Sequence, residues 1–216
     1  MSGKARALRW VIALGCALLL AVGLGFSALL SPDPPPAAPK ELRMPTSNVL
    51  VIYYSRTGTT QKLAEAIAKA TNADLEPLTD TVNRKGFGGF MRSLMDTFRR
   101  RGSTLNPLGV DPTGYDLVVI GTPDWGKSVA APVRTFLGEH QGKLRRVAFF
   151  LTDGTTDHAA VFRDMASMVG AEPVAVLGVP QADVVADRYA EKLAAFVKAL
   201  PAAQPVPQPR EPALVQ

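Results

Sequence analysis

Cysteine is nearly absent. Cys16 is the only one in 216 residues, so no intrachain disulfide and no dithiol redox pair can form. Histidine is almost as scarce, with only His140 and His158, and neither has metal-ligand spacing around it. Zinc-finger spacing, a recognition-helix signature and an aromatic-plus-basic platform for single strands are all missing, which argues against nucleic acid as a partner. The loop at Ser55–Thr60 lacks the Gly-Lys-Ser/Thr ending of a Walker loop, so it does not support nucleoside triphosphate hydrolysis. Charge is missing altogether from residues 10–30.

That uncharged run of about 20 residues matches the length a helix needs to cross a bilayer core. Lys4, Arg6 and Arg9 precede it. A secretory signal has a shorter apolar stretch and a small-residue cleavage site. The length therefore favours an uncleaved single-pass anchor over a cleaved signal, or over a lipidated Cys16. Lys40 and Arg43 follow at a greater distance, beside Asp33 and Glu41. The bias in basic residues predicts a cytoplasmic N-terminus, with the following domain on the outer (periplasmic or extracellular) side.

Proline marks the remaining boundaries. It crowds residues 31–47 and the end of the chain, predicting a Pro-rich linker over 31–47 and a disordered tail over 201–216. One domain, 48–200, lies between them. Its net charge contribution is modest, the whole chain carrying +5.

Within 48–200, strand-like and helix-like patterns alternate. Val49 to Tyr54 is a continuous β-prone run of the kind found in a strand buried on both faces. Thr60 to Ala70 places Leu63, Ala64 and Ile67 on one helical face. Further strands are expected at Ala73–Leu78, Tyr115–Ile120, Val147–Thr152 and Pro173–Val179. Helices are expected from Ala130, from about Asp157 to a stop at Gly170, and from Asp187 to Leu200. Five strands alternating with helices predict a parallel sheet covered on both faces. Ligands of such sheets bind outside the carboxyl ends of the strands, where the winding direction switches.

Three loops fall at those ends. Ser55-Arg56-Thr57-Gly58-Thr59-Thr60 joins the first strand to the first helix. Hydroxyls and amide N–H groups at a helix N-terminus make a donor-rich cradle for a phosphate dianion, and Gly58 lets the backbone curl closely. Gly121-Thr122-Pro123-Asp124-Trp125-Gly126 follows the third strand, where an indole suits stacking on a planar ring. Thr152-Asp153-Gly154-Thr155-Thr156-Asp157 follows the fourth. Each loop also has a plainer reading, as a helix cap or a tryptophan packed on a rim.

Ser55 to Thr60 resembles the (S/T)-x-T-G-x-T phosphate loop of the flavodoxins, and Gly121 to Trp125 resembles their G-T-P-x-W loop. The resemblance covers roughly residues 48–200 and is to short, single-domain members. It implies a doubly wound five-stranded parallel sheet in the order 2-1-3-4-5 that binds FMN without a covalent bond. Carried over, Ser55, Thr57 and Thr60 offer hydroxyls to the phosphate, and Arg56, Gly58 and Thr59 offer amides. Thr122, Pro123, Asp124, Trp125 and Gly126 flank the flavin ring, and Thr152, Asp153 and Gly154 meet its pyrimidine edge. Asp124 departs from the pattern, because a carboxylate aimed inward would disfavour an anionic reduced flavin. The tyrosine common in the family's third loop is absent.

The implied function is electron transfer by a membrane-tethered FMN flavoprotein, passing electrons between a redox partner protein and a small acceptor such as a quinone. An FMN-dependent NAD(P)H or quinone reductase and a flavin-free interaction module are the alternatives. No catalytic residue is singled out. His158, His140 and Lys127 read as surface groups. Residues 83–103, with Arg84, Lys85, Arg92 and Arg99–Arg101 around Phe87, Phe90, Leu94, Met95 and Phe98, read as a basic helix covering the sheet or as a docking face.

Overall fold

A computed structural model describes residues 37–38, 40–81, 103–124, 126, 128–153 and 158–201. The expected anchor at 10–30, most of the basic segment, Trp125, Lys127, loop residues 154–157 and the tail from 202 lie outside the described residues. Among the described residues no helix is long and apolar enough to cross a membrane.

The first strand, β1 (Val49–Tyr53), is buried along its whole length, as its unbroken apolar run predicts. It leads into α1 (Thr59–Thr71), which buries Thr60, Leu63, Ala64, Ile67 and Ala68 on one face. The edge strand β2 (Asp74–Pro77) follows. A short 3-10 turn (Pro112–Gly114), capped by Asp111, precedes β3 (Leu117–Pro123). Then come α2 (Ala131–Glu139), β4 (Val147–Asp153), α3 (Ala159–Val169) and β5 (Val176–Pro180). Two helices close the order, α4 (Gln181–Val185) and α5 (Ala190–Ala199).

All neighbouring strands pair in parallel, in the order β2-β1-β3-β4-β5. The expected architecture holds. Alternate strand residues feed two cores. Leu50, Ile52, Val118, Ile120, Phe149 and Leu151 pack against α2, α3 and residues 105–115. Val49, Val51, Val119, Ala148, Phe150 and Val179 pack against α1, α4 and α5 on the other face.

Four boundaries differ from expectation. Strand β3 begins at Leu117 rather than Tyr115 and runs through Gly121, Thr122 and Pro123, which the sequence pattern assigned to a loop. Residues 121–123 pair with Phe150, Leu151 and Thr152, so the β4 partner extends the ladder past the apolar run. Tyr115 is instead wholly buried beneath the 3-10 turn, with its hydroxyl donating to Asp74 at 2.9 Å. Strand β5 starts at Val176, and helix α3 is N-capped by His158 rather than Asp157. The expected final helix over Asp187–Leu200 is α5, starting at Ala190; the short α4 ahead of it was not expected, and Asp187 at φ 57° turns the chain between the two.

The second half of the proline-rich segment is bonded to the domain. Thr46 donates to Asp74 from its amide at 2.8 Å and also from its hydroxyl, and the Ser47 amide adds a longer bond at 3.3 Å. The Arg43 amide donates to the Gly109 carbonyl at 2.7 Å. Arg43 and Lys40 both pair with Glu76, at 2.6 and 3.4 Å. The Ala37 amide reaches Asn106 Oδ1 at 3.0 Å.

Candidate functional site

The phosphate-loop candidate occupies the place the sequence predicts, between the carboxyl end of β1 and the first turn of α1. Gly58 is the N-cap, at φ 90°, a conformation that favours glycine. No described atom lies within 4 Å of where its Cβ would be. The Gly58 amide donates to Ser55 Oγ at 3.1 Å, which curls residues 55–58 into a tight turn. Helix α1 has no side-chain N-cap bond and no acidic residue in its first turn. Its leading amides and positive dipole end therefore face no carboxylate from that turn. Thr57 and Gly58 are exposed, and Ser55, Arg56 and Thr59 are half-buried.

Thr60 points the other way. Its hydroxyl pairs with Thr152 Oγ1 at 2.8 Å, and both side chains are buried. This link ties the first turn of α1 to the carboxyl end of β4, so two of the three predicted loops share one buried bond. Ser55 and Thr57 are left as the hydroxyls on the loop's outer side. Ser55 Oγ accepts one bond and still has a proton to donate.

Around the second loop, Thr122 is fully buried. Its hydroxyl donates to the Pro123 carbonyl at 2.9 Å and accepts from the Ala130 amide at 3.1 Å. Asp124 Oδ1 accepts from the Ser128 amide at 2.9 Å, and Asp124 bridges Val129 in antiparallel fashion. Those contacts close residues 124–129 into a loop, with Gly126 exposed at φ 70°. The Asp124 carboxylate is thus engaged by its own loop. Arg134 on α2 reinforces the base, donating to Ser128 Oγ at 2.9 Å and to the Val129 carbonyl at 3.3 Å.

Gly121 is a close-approach position. A Cβ there would lie 2.0 Å from Cζ of the buried Phe150 ring, so β3 can lie over β4's phenylalanine only without a side chain. The third loop enters the description only at its ends: Thr152 and the backbone of Asp153 on one side, His158 on the other. His158 is half-buried rather than on the surface. Its ring stands edge-on to Phe162 and packs over Gly178 of β5, where a Cβ would fall 1.6 Å from Nδ1. The small residue at 178 is the sequence signal for that packing. His140 caps α2 and stacks on Phe136, with ring centroids 4.3 Å apart, in a structural setting.

Among the described residues three ionisable groups are shifted, and two of them, Asp74 and Tyr115, lie at the opposite, amino edge. Partial burial pulls the Asp74 carboxyl upward. The hydrogen bonds from the Thr46 hydroxyl and amide, the Tyr115 hydroxyl and the Ser47 amide outweigh it and hold the group below its ordinary range. Burial, with Asp74 alongside, pushes the Tyr115 phenol well up. At the end of β1, burial raises Tyr53, with Glu65 and Glu76 adding to the effect. Among the described residues no group of three or more His, Cys, Asp or Glu side chains could hold a metal ion.

No family model matches the chain, and no curated protein matches it. Solved structures do. A flavoprotein from Lactobacillus acidophilus NCFM, in complex with FMN, is 25% identical with a TM-score of 0.51. The match covers 67% of this chain and 99% of that one. A candidate flavoprotein from Bacteroides eggerthii DSM 20697 is 21% identical, also with a TM-score of 0.51, covering 69% of this chain and 99% of its own. The fold is flavodoxin-like.

Proposed function

We propose that the chain is an FMN-binding flavoprotein that passes electrons between redox partners, held at a membrane by residues 10–30. The observation that carries the reading is the phosphate cradle. A glycine-hinged turn and a helix N-terminus with neither side-chain cap nor first-turn acid sit where the sheet's winding reverses. The likeness to a flavoprotein in complex with FMN supports the same ligand.

In this reading the Ser55 and Thr57 hydroxyls, and the amides of residues 56–60, bind the phosphate dianion through charge-assisted hydrogen bonds. The Thr60–Thr152 bond holds the cradle in register with the third loop. Thr122 and Asp124 brace residues 124–129, so that Trp125 covers one face of the ring. Asp153 and Gly154 stand at the ring's polar edge. Bound there, FMN supplies one- and two-electron redox chemistry, and the protein supplies position and polarity.

The test is an absorption spectrum of the purified full chain in detergent, with a fluorescence titration of FMN. Flavin bands and quenching at one equivalent are the expected result. A colourless chain that leaves FMN fluorescence unchanged would sink the reading, leaving a flavin-free module on this fold. Turnover of NADH with a quinone and no added reductase would make the protein a reductase rather than a carrier.

A further inference from the structure

The bonds that fasten residues 37–47 also fix a direction. Ser47 and Thr46 are bound to Asp74, the first residue of β2, at the amino edge of the sheet. Arg43 and Lys40 are bound to Glu76, two residues along, whose side chain is almost fully buried and also accepts from the Gly109 amide at 2.8 Å. Ala37 is bound to Asn106. Asn106 is itself bonded to the Thr79 carbonyl and hydroxyl and the Asp80 carbonyl, past the carboxyl end of β2. The strap therefore runs antiparallel to β2. Followed backwards from β1, the chain leaves the domain at the carboxyl edge, which holds residues 55–60, 121–124 and 152–153.

We infer that the strap turns the carboxyl edge of the sheet toward a lipid bilayer, so that the site opens onto the membrane surface rather than into bulk solvent. The inference rests on the anchor reading of residues 10–30, and not on flavin binding. Between Leu30 and Ala37 there are seven peptide steps, which cannot span more than about 25 Å even fully extended. A domain of this size is about 40 Å across. The edge to which the chain is fastened is thus the edge that faces the bilayer. Charge distribution agrees. Residues 82–102 hold six Lys and Arg against one Asp, an excess equal to the whole chain's +5. The described residues flanking them meet at that same edge, where Thr81 donates to the Thr104 carbonyl and Asp80 bridges Leu105.

The experiment uses the full chain in phosphatidylcholine vesicles containing phosphatidylglycerol and a headgroup nitroxide quencher. In a Cys16→Ser background, a fluorophore is placed at Ala182→Cys, just past β5 at the carboxyl edge, or at Glu172→Cys, ahead of β5 at the amino edge. Both positions are exposed. The edges are separated by the strand length of about 20 Å, so quenching is expected to be at least roughly twofold stronger at 182 than at 172. Inserting about twelve Gly/Ser residues between Pro36 and Ala37, which leaves every strap bond in place, lets the domain tumble and brings the two signals together. Equal quenching in the parent chain, or stronger quenching at 172, overturns the orientation. Failure of the chain to float with the vesicles overturns the anchor and the orientation with it. FMN absorbance in the same samples reports the ligand separately: bleached vesicles with the asymmetry intact refute flavin binding alone.

Discussion

Gly58 sets the shape of the cradle through its own backbone. At φ 90° it occupies a region that costs an L-residue about 1–2 kcal/mol, although a methyl group would have room. Gly58→Ala is therefore expected to lower stability by about 1 kcal/mol and to weaken FMN binding by roughly tenfold, as the amides rotate away from the phosphate. Urea unfolding and a fluorescence titration check the two effects separately. Asp74 yields a prediction about pH. Its folded-state pKa is depressed below the ordinary 3.8, so its contribution is present above that value and is lost as pH falls through the folded value. Asp74→Asn should flatten the fall in stability on acidification below about pH 4, measured as melting temperature against pH. An unchanged acid limb would mean that the Thr46 and Tyr115 bonds contribute no linkage. At this scale the sequence was informative about residue types and silent about direction. Thr57 and Thr60 look equivalent in the motif, yet one faces solvent and the other is bonded to Thr152, 92 residues away.

Strand β3 shows what a one-dimensional pattern carries and what it omits. Its apolar centre was legible because Leu117–Ile120 is buried on both faces. Its last three residues were not, since Gly, Thr and Pro are poor strand formers and pair only because β4 offers Phe150, Leu151 and Thr152 at matching height. Gly121 there answers to packing. Adding a methyl 2.0 Å from the Phe150 ring leaves a buried phenylalanine no room, and overpacking of this kind costs about 1–3 kcal/mol. Gly121→Ala should show that loss in urea unfolding, and adding Phe150→Leu should recover part of it, as coupled neighbours do. Additive losses would refute the contact as the cause. The strap was invisible for a related reason. Prolines and scattered charges read as a spacer, while the acceptors that hold it, Asp74 and Glu76, lie 28 and 33 residues away in a strand of their own.

For the molecule as a whole, the physical claim about the carboxyl edge is that the phosphate supplies much of the grip. Two kinds of interaction are available to a ligand there: charge-assisted bonds at the N-terminus of α1, and contact with the loops after β3 and β4. Riboflavin shares FMN's ring and ribityl chain and lacks the phosphate, so comparing them isolates the first. A ligand that binds only the folded state stabilises it by about 2.7 kcal/mol at a hundred times its dissociation constant. Losing even one charge-assisted hydrogen bond of about 1.5–3 kcal/mol weakens binding by at least roughly tenfold. At equal concentration FMN should therefore raise the melting temperature clearly more than riboflavin. The difference should shrink in Gly58→Ala, where the cradle is misshapen, and persist in Gly121→Ala, where the damage lies in the sheet. It should also narrow at high phosphate, because the free anion competes for the same amides. Equal shifts from the two flavins would place the binding energy in the ring and leave the helix N-terminus with no part in holding the ligand.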